Sequence, residues 1–138
     1  MTSGTQAVEA SGSPAGAEVL SRSGSRPTVV VLTAEGVPPP SDLDAVRELA
    51  DVRPATADTL ADAVPGAEIL LVWDIFSGAL TDAWHAADSL RWVHVAAAGV
   101  DALLFDGLRE SDVLVTNARG VFDGPIAEYV LACVLAHD

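Results

Sequence analysis

The feature that most constrains the fold is a regular alternation. Largely apolar runs of strand length, "TVVVLT" (28–33), "AEILLVW" (67–73), "LRWVHVAA" (90–97) and "DVLVTN" (112–117), are separated by helix-like stretches. A continuous β-branched or aliphatic run reads as a strand buried on both faces. A weaker strand, "DVRPA" (51–55), contains Pro54, which lacks a backbone donor and belongs near a sheet edge. Between the strands lie "SDLDAVRELA", with Ser41 as cap and Asp42 and Asp44 in the first turn, the short "TADTLADAV", ended by Pro65 and Gly66, and "TDAWHAAD", capped by Thr81. "AGVDALLFDGL" follows the fourth strand as a loop and short helix. This order specifies an α/β fold, a five-stranded parallel sheet with flanking helices and right-handed crossovers. The flavodoxin-like strand order 2-1-3-4-5 keeps the most apolar strands inside and puts "DVRPA" at an edge.

Composition narrows the partners. The formal charge is -13, and all seven basic residues are arginines. Glu9, Glu18, Arg22 and Arg26 cancel within residues 1–27, so the folded part carries the excess. Such a chain repels phosphate backbones and anionic lipid, which argues against nucleic acid and membrane partners. Residues 1–27 are dominated by small and polar residues and are expected to form a disordered tail without a signal-peptide core. Cys133 is the single cysteine, so no disulfide forms within the chain, and a cytoplasmic setting is expected.

In a parallel sheet of this kind, ligands sit beyond the carboxyl ends of the strands. Here those ends are the loops after Thr33, Trp73, Ala96 and Asn117. In "AAAGVD" (96–101), small residues leave backbone N–H groups uncovered, Gly99 permits unusual backbone angles, and Asp101 can cap a helix starting there. Amides at a helix start attract a carboxylate or phosphate. Taken alone, the segment reads first as a tight turn with an N-cap. In "WDIFSG" (73–78), Trp73, Ile75 and Phe76 can wall a pocket that Asp74 and Ser77 hydrogen-bond into; the competing reading places Trp73 and Phe76 in the core. Asp74 also suggests the phosphoacceptor of a receiver domain, but that chemistry needs a lysine after the fifth strand, and this chain has none.

The last segment, "NARGVFDGPIAEYVLACVLAHD" (117–138), is a turn and an apolar helix. Asn117 can bond its own backbone in the turn, and Pro125 suits a first helical turn. Ile126, Val130 and Val134 form one stripe, and Tyr129, Leu131, Cys133 and Leu135 extend apolar character around most of the helix. Such a helix needs cover on both sides. One side is expected on the sheet and the other against a partner. His85, His94 and His137 share no metal-ligand spacing, and no metal site is expected. The acid pairs Asp42/Asp44 and Asp58/Asp62 read as helix-start or exposed-face residues. Neither GxGxxG nor GxSxG occurs.

"LRWVHVAAAGVDALLFDGL" followed by "VLVTNARGVFDGPIAEYVLACVLA" resembles the N-terminal part of the D-isomer-specific 2-hydroxyacid dehydrogenases, especially the 2-ketoacid reductase branch. The likeness covers residues 28–138 and is strongest over 90–135. It implies a substrate domain over 28–124 and, over 125–138, the start of a helix leading to a Rossmann domain that binds NAD or NADP. It implies hydride transfer between the nicotinamide and C2 of a 2-keto or 2-hydroxy acid. By resemblance, amides of Ala98, Gly99 and Val100 meet the substrate carboxylate, Asp74, Ile75 and Phe76 line its pocket, and Ile126 and Val130 face the nicotinamide. The family's catalytic arginine and its glutamate–histidine pair are expected in the cofactor half. Arg119 and His137 are therefore not their counterparts, and no catalytic residue is assigned here. The chain alone is expected to be inactive and to act with a Rossmann domain or pair with a second copy. The alternative is a non-enzymatic dimerisation or binding module.

Overall fold

The structure is a computed structural model that describes residues 25–137. Five strands, β1 (Thr28–Leu32), β2 (Asp51–Ala55), β3 (Ile69–Val72), β4 (Trp92–Val95) and β5 (Leu114–Asn117), form one sheet. Every pairing is parallel and the order is β2-β1-β3-β4-β5. The helices are α1 (Leu43–Leu49), α2 (Leu60–Ala63), α3 (Ala79–Ala83), continued by a 3-10 turn (Trp84–Ala86), α4 (Asp106–Arg109) and α5 (Asp123–Ala136). The α/β class and strand order agree with the sequence reading. Pro54 sits in the edge strand β2, where its missing donor breaks no inner ladder.

The order distributes the helices unequally. The crossover from β1 to β2 runs one way across the sheet and the later ones run the other way, so right-handedness puts α1 opposite α2, α3 and α4. On the face under α2–α4, Val30, Leu32, Leu70, Val72, Val93 and Val95 join Leu60, Leu80 and Leu108 in the larger core. On the other, Val29, Val31 and Ile69 pack with Leu43 and Ala50, while Leu71 and Trp92 stay partly exposed at the margin.

The helix starts differ from the expected caps. Asp42, not Ser41, precedes α1 and makes no capping bond; its φ of -93° and ψ of 15° lie outside the extended region that capping favours. α3 begins at Ala79, which puts Thr81 inside it, and Ala79, Leu80 and Ala83 bury its inner side. Asp101 caps nothing. The N–H groups of Leu103 and Leu104 both donate to Val100 O in a turn, and α4 waits until Asp106. There Gly107 lies against the Trp84 indole, where a Cβ would come within 2.8 Å of Nε1.

Of the expected tail, residues 1–24 lie outside the described residues. Arg26 donates from Nη2 to the carbonyls of Arg47 and Ala50 at the end of α1, and Pro27 O accepts Asp51 N–H at 2.9 Å. At the other end, α5 departs from expectation. Neither of its sides lies on the sheet, and none of its residues is buried. Leu131 is 59% exposed and Leu135 68%.

Candidate functional site

Parallel strands bring all their carboxyl ends to one edge, and there each loop leans on the next. Trp73 and Asp74 N–H both donate to Leu32 O at 2.9 Å. Ala96 N–H donates to Val72 O at 3.0 Å, and Ala118 N–H to Ala97 O at 2.9 Å. The loops after β3 and β4 leave the sheet at the same level, because Val72 and Val95 are register partners.

The loop after β4 supplies donors. The backbone N–H groups of Ala98, Gly99 and Val100 have no acceptor among the described residues. Ala98 and Gly99 are exposed and Val100 is half-buried. Unspent backbone amides in a turn can donate to an anion, with no helix start needed. The helix expected at Asp101 is absent, so no helix dipole assists. Gly99 also has no left-handed φ; Gly36, Gly66 and Gly120 do. Its use is space, since nothing lies within 4 Å of where a Cβ would stand.

The loop after β3 offers mixed walls. Ile75 packs partly against the larger core, and Asp74 is half-buried. Phe76 is 85% exposed and Trp73 39%, which removes the reading that placed both in the core. They lie past the strand end, beyond the reach of the covering helices. Ser77 Oγ accepts Ala79 N–H at 3.2 Å, so its hydroxyl serves the turn into α3.

The other polar candidates separate. Arg119 is exposed and makes no ion pair among the described residues. His94 is half-buried on β4, and Trp92 Nε1 and His94 Nδ1 each lie 2.8 Å from Thr116 Oγ1. The hydroxyl accepts from the indole N–H, and the direction of its bond with His94 Nδ1 follows the ring tautomer; burial lowers the His94 pKa. His85 Nδ1 bonds Asp82 O within its own turn. Among the described residues no three His, Cys, Asp or Glu gather to hold a metal, and no helix is long and apolar enough to cross a membrane. Ile126 and Val130 stand one turn apart on α5, 58% and 53% exposed, and are not gathered into the core.

One participant was only half legible. Asn117 bonds its own turn as expected, but it also donates from Nδ2 to Ala98 O at 2.9 Å. The second bond depends on β4–β5 register, which places Asn117 opposite Val95. No sequence signal carries that pairing.

The fold agrees with comparisons to known proteins. The catalytic domain of the D-isomer specific 2-hydroxyacid dehydrogenases matches residues 28–132. The chain belongs to this family. Among solved structures, the TT0316 protein from Thermus thermophilus is 28% identical, with a TM-score of 0.56 over 78% of this chain and 36% of that one. The apo form of Rhodotorula graminis D-mandelate dehydrogenase is 24% identical, with a TM-score of 0.57 over 81% of this chain and 37% of that one. The chain therefore spans little more than a third of either protein. No curated protein shows significant similarity. All described strands and α1 to α4 fall inside the family match, as do the three free amides.

Proposed function

We propose that this chain is the substrate-binding portion of an NAD(P)-dependent D-2-hydroxyacid dehydrogenase. The amides of Ala98, Gly99 and Val100 grip the carboxylate of a 2-keto or 2-hydroxy acid. Asp74, Ile75 and Phe76 wall the pocket from the neighbouring strand end. The observation that carries this reading is the row of unspent N–H groups at the carboxyl edge of a family-matched sheet. An ionised acceptor makes such bonds roughly twice as strong as neutral ones.

The cofactor fits this chain only in part. Ile126 and Val130 offer exposed apolar contact suited to the flat face of a nicotinamide. No GxGxxG is present to hold a pyrophosphate. When bound, the reduced NADH or NADPH would supply a hydride to C2 of a 2-keto acid, and the oxidised NAD or NADP would take one from a 2-hydroxy acid; we assign its binding to a Rossmann domain reached through α5, with 28–124 as the substrate domain. The residues of this chain bind and orient the acid; the proton donor and catalytic arginine belong to the companion domain. Proximity supplies much of the rate in such a reaction, so the substrate half alone should be inert. A spectrophotometric assay of the purified chain with NADH and pyruvate should show no turnover. Ketoacid-dependent NADH oxidation would overturn this division of labour.

A second reading draws on α5. Its exposed apolar surface also suits a dimerisation module without enzymatic activity, in which a second copy covers the helix. A stable homodimer in size-exclusion chromatography, combined with no response to small carboxylates, would favour that reading.

A further inference from the structure

Asn117 ends β5 and is exposed, yet both halves of its side-chain amide are engaged. Oδ1 accepts Arg119 N–H at 3.2 Å, and Nδ2 donates to Ala98 O at 2.9 Å. One partner is a donor and the other an acceptor, so only one orientation of the amide satisfies both. The first bond closes the turn after β5. The second reaches across to the loop after β4.

That reach acts through peptide planarity. No cis peptide occurs among the described residues, so the C=O of Ala98 and the N–H of Gly99 share a plane and point in opposite directions. Holding the carbonyl aims the amide. Ala118 N–H does the same one residue earlier; its bond to Ala97 O aims the amide of Ala98. Side-chain packing does not help at Gly99, which is exposed and has open space where a Cβ would stand. Gly99 O, which shares a plane with Val100 N–H, has no partner among the described residues.

We propose that Asn117 is a positioning residue whose side-chain amide aims Gly99 N–H at the substrate carboxylate. The proposal rests on the carboxylate reading given above, and it makes its own demand: Gly99 depends on Asn117 more than Val100 does. Asn117→Asp keeps an oxygen for Arg119 N–H but sets an acceptor against Ala98 O. Asn117→Ala removes both bonds without adding charge.

The test uses the full chain labelled with 15N and 13C. Without ligand, both variants should stay folded, with wild-type dispersion away from residues 96–100 and 116–120, shift the Ala98 carbonyl resonance, and lower the heteronuclear NOE at Gly99 more than at Val100. In a pyruvate titration, Asn117→Ala should bind about 2- to 10-fold more weakly than wild type, the effect of one hydrogen bond. An unchanged loop in both variants overturns the proposal, and so does a loosened loop with unchanged affinity. If the variants loosen Gly99 but the wild type ignores pyruvate, the hold on Gly99 is supported and the carboxylate reading fails.

Discussion

On one face of the sheet, Val30, Leu70 and Val93 are wholly buried beneath α2, α3 and α4. On the other, the adjacent residues Leu71, Trp92 and His94 keep part of their surface in water, and among the described residues α1 is the only helix whose buried residue packs there. The difference follows from topology, because one crossover runs one way and the later ones run the other. A helix after β5 is the natural completion of the thin layer, yet α5 buries none of its residues. The two faces differ in how much apolar surface the described helices cover.

The largest expected contrast is in the core. Leu70→Ala should cost about 2–5 kcal/mol, while Leu71→Ala, one position along on the thin face, should cost well under half of that. Urea denaturation midpoints measure both, and equal costs would break the comparison. A second contrast sharpens the role of the glycines. Gly120→Ala forces a side chain into a φ of 84° and should destabilise by about 1 kcal/mol or more, whereas Gly99→Ala should stay within about 0.5 kcal/mol. Thermal unfolding at matched protein concentration resolves the two.

Replacing Leu131 or Leu135 on α5 by Glu should leave the unfolding midpoint within about 0.5 kcal/mol of wild type, since neither is buried. On the dimerisation reading, the same changes should reduce self-association in analytical ultracentrifugation. A large loss of stability would mean that α5 is packed after all. The smallest effect concerns pH. Burial lowers the His94 pKa from its ordinary 6.5, so the unfolded chain takes up this proton first as pH falls. Its contribution is complete above that value and is lost as pH falls through the folded-state pKa. His94→Gln should flatten that slope in stability measured between pH 7 and pH 5.

The sheet was legible because largely apolar runs have few packing solutions, and the weak apolar character of "DVRPA" together with Pro54 argued for an edge. Helix starts were less legible. Ser41, Thr81 and Asp101 are capping residue types, but a cap also needs an extended backbone and a helix behind it, and tertiary packing chose Ala79 and Asp106 as first residues. At the candidate site, sequence drew attention to the Ala98–Val100 loop. It could not show that the amides are unspent or that Asn117 reaches them, because both depend on how neighbouring strands align. The exposure of Phe76 was hidden for the same reason. Aromatic character indicates burial on average, but Phe76 lies past the end of β3 and is exposed.

The central claim is that the Ala98–Val100 amides receive a carboxylate. The direct test is a 15N-resolved titration of the full chain with pyruvate, and with methyl pyruvate as the analogue lacking the charged group. The account predicts saturable shifts of the Ala98, Gly99 and Val100 amides with pyruvate and none with the ester. Unmoved amides, or equal shifts with both compounds, would contradict it.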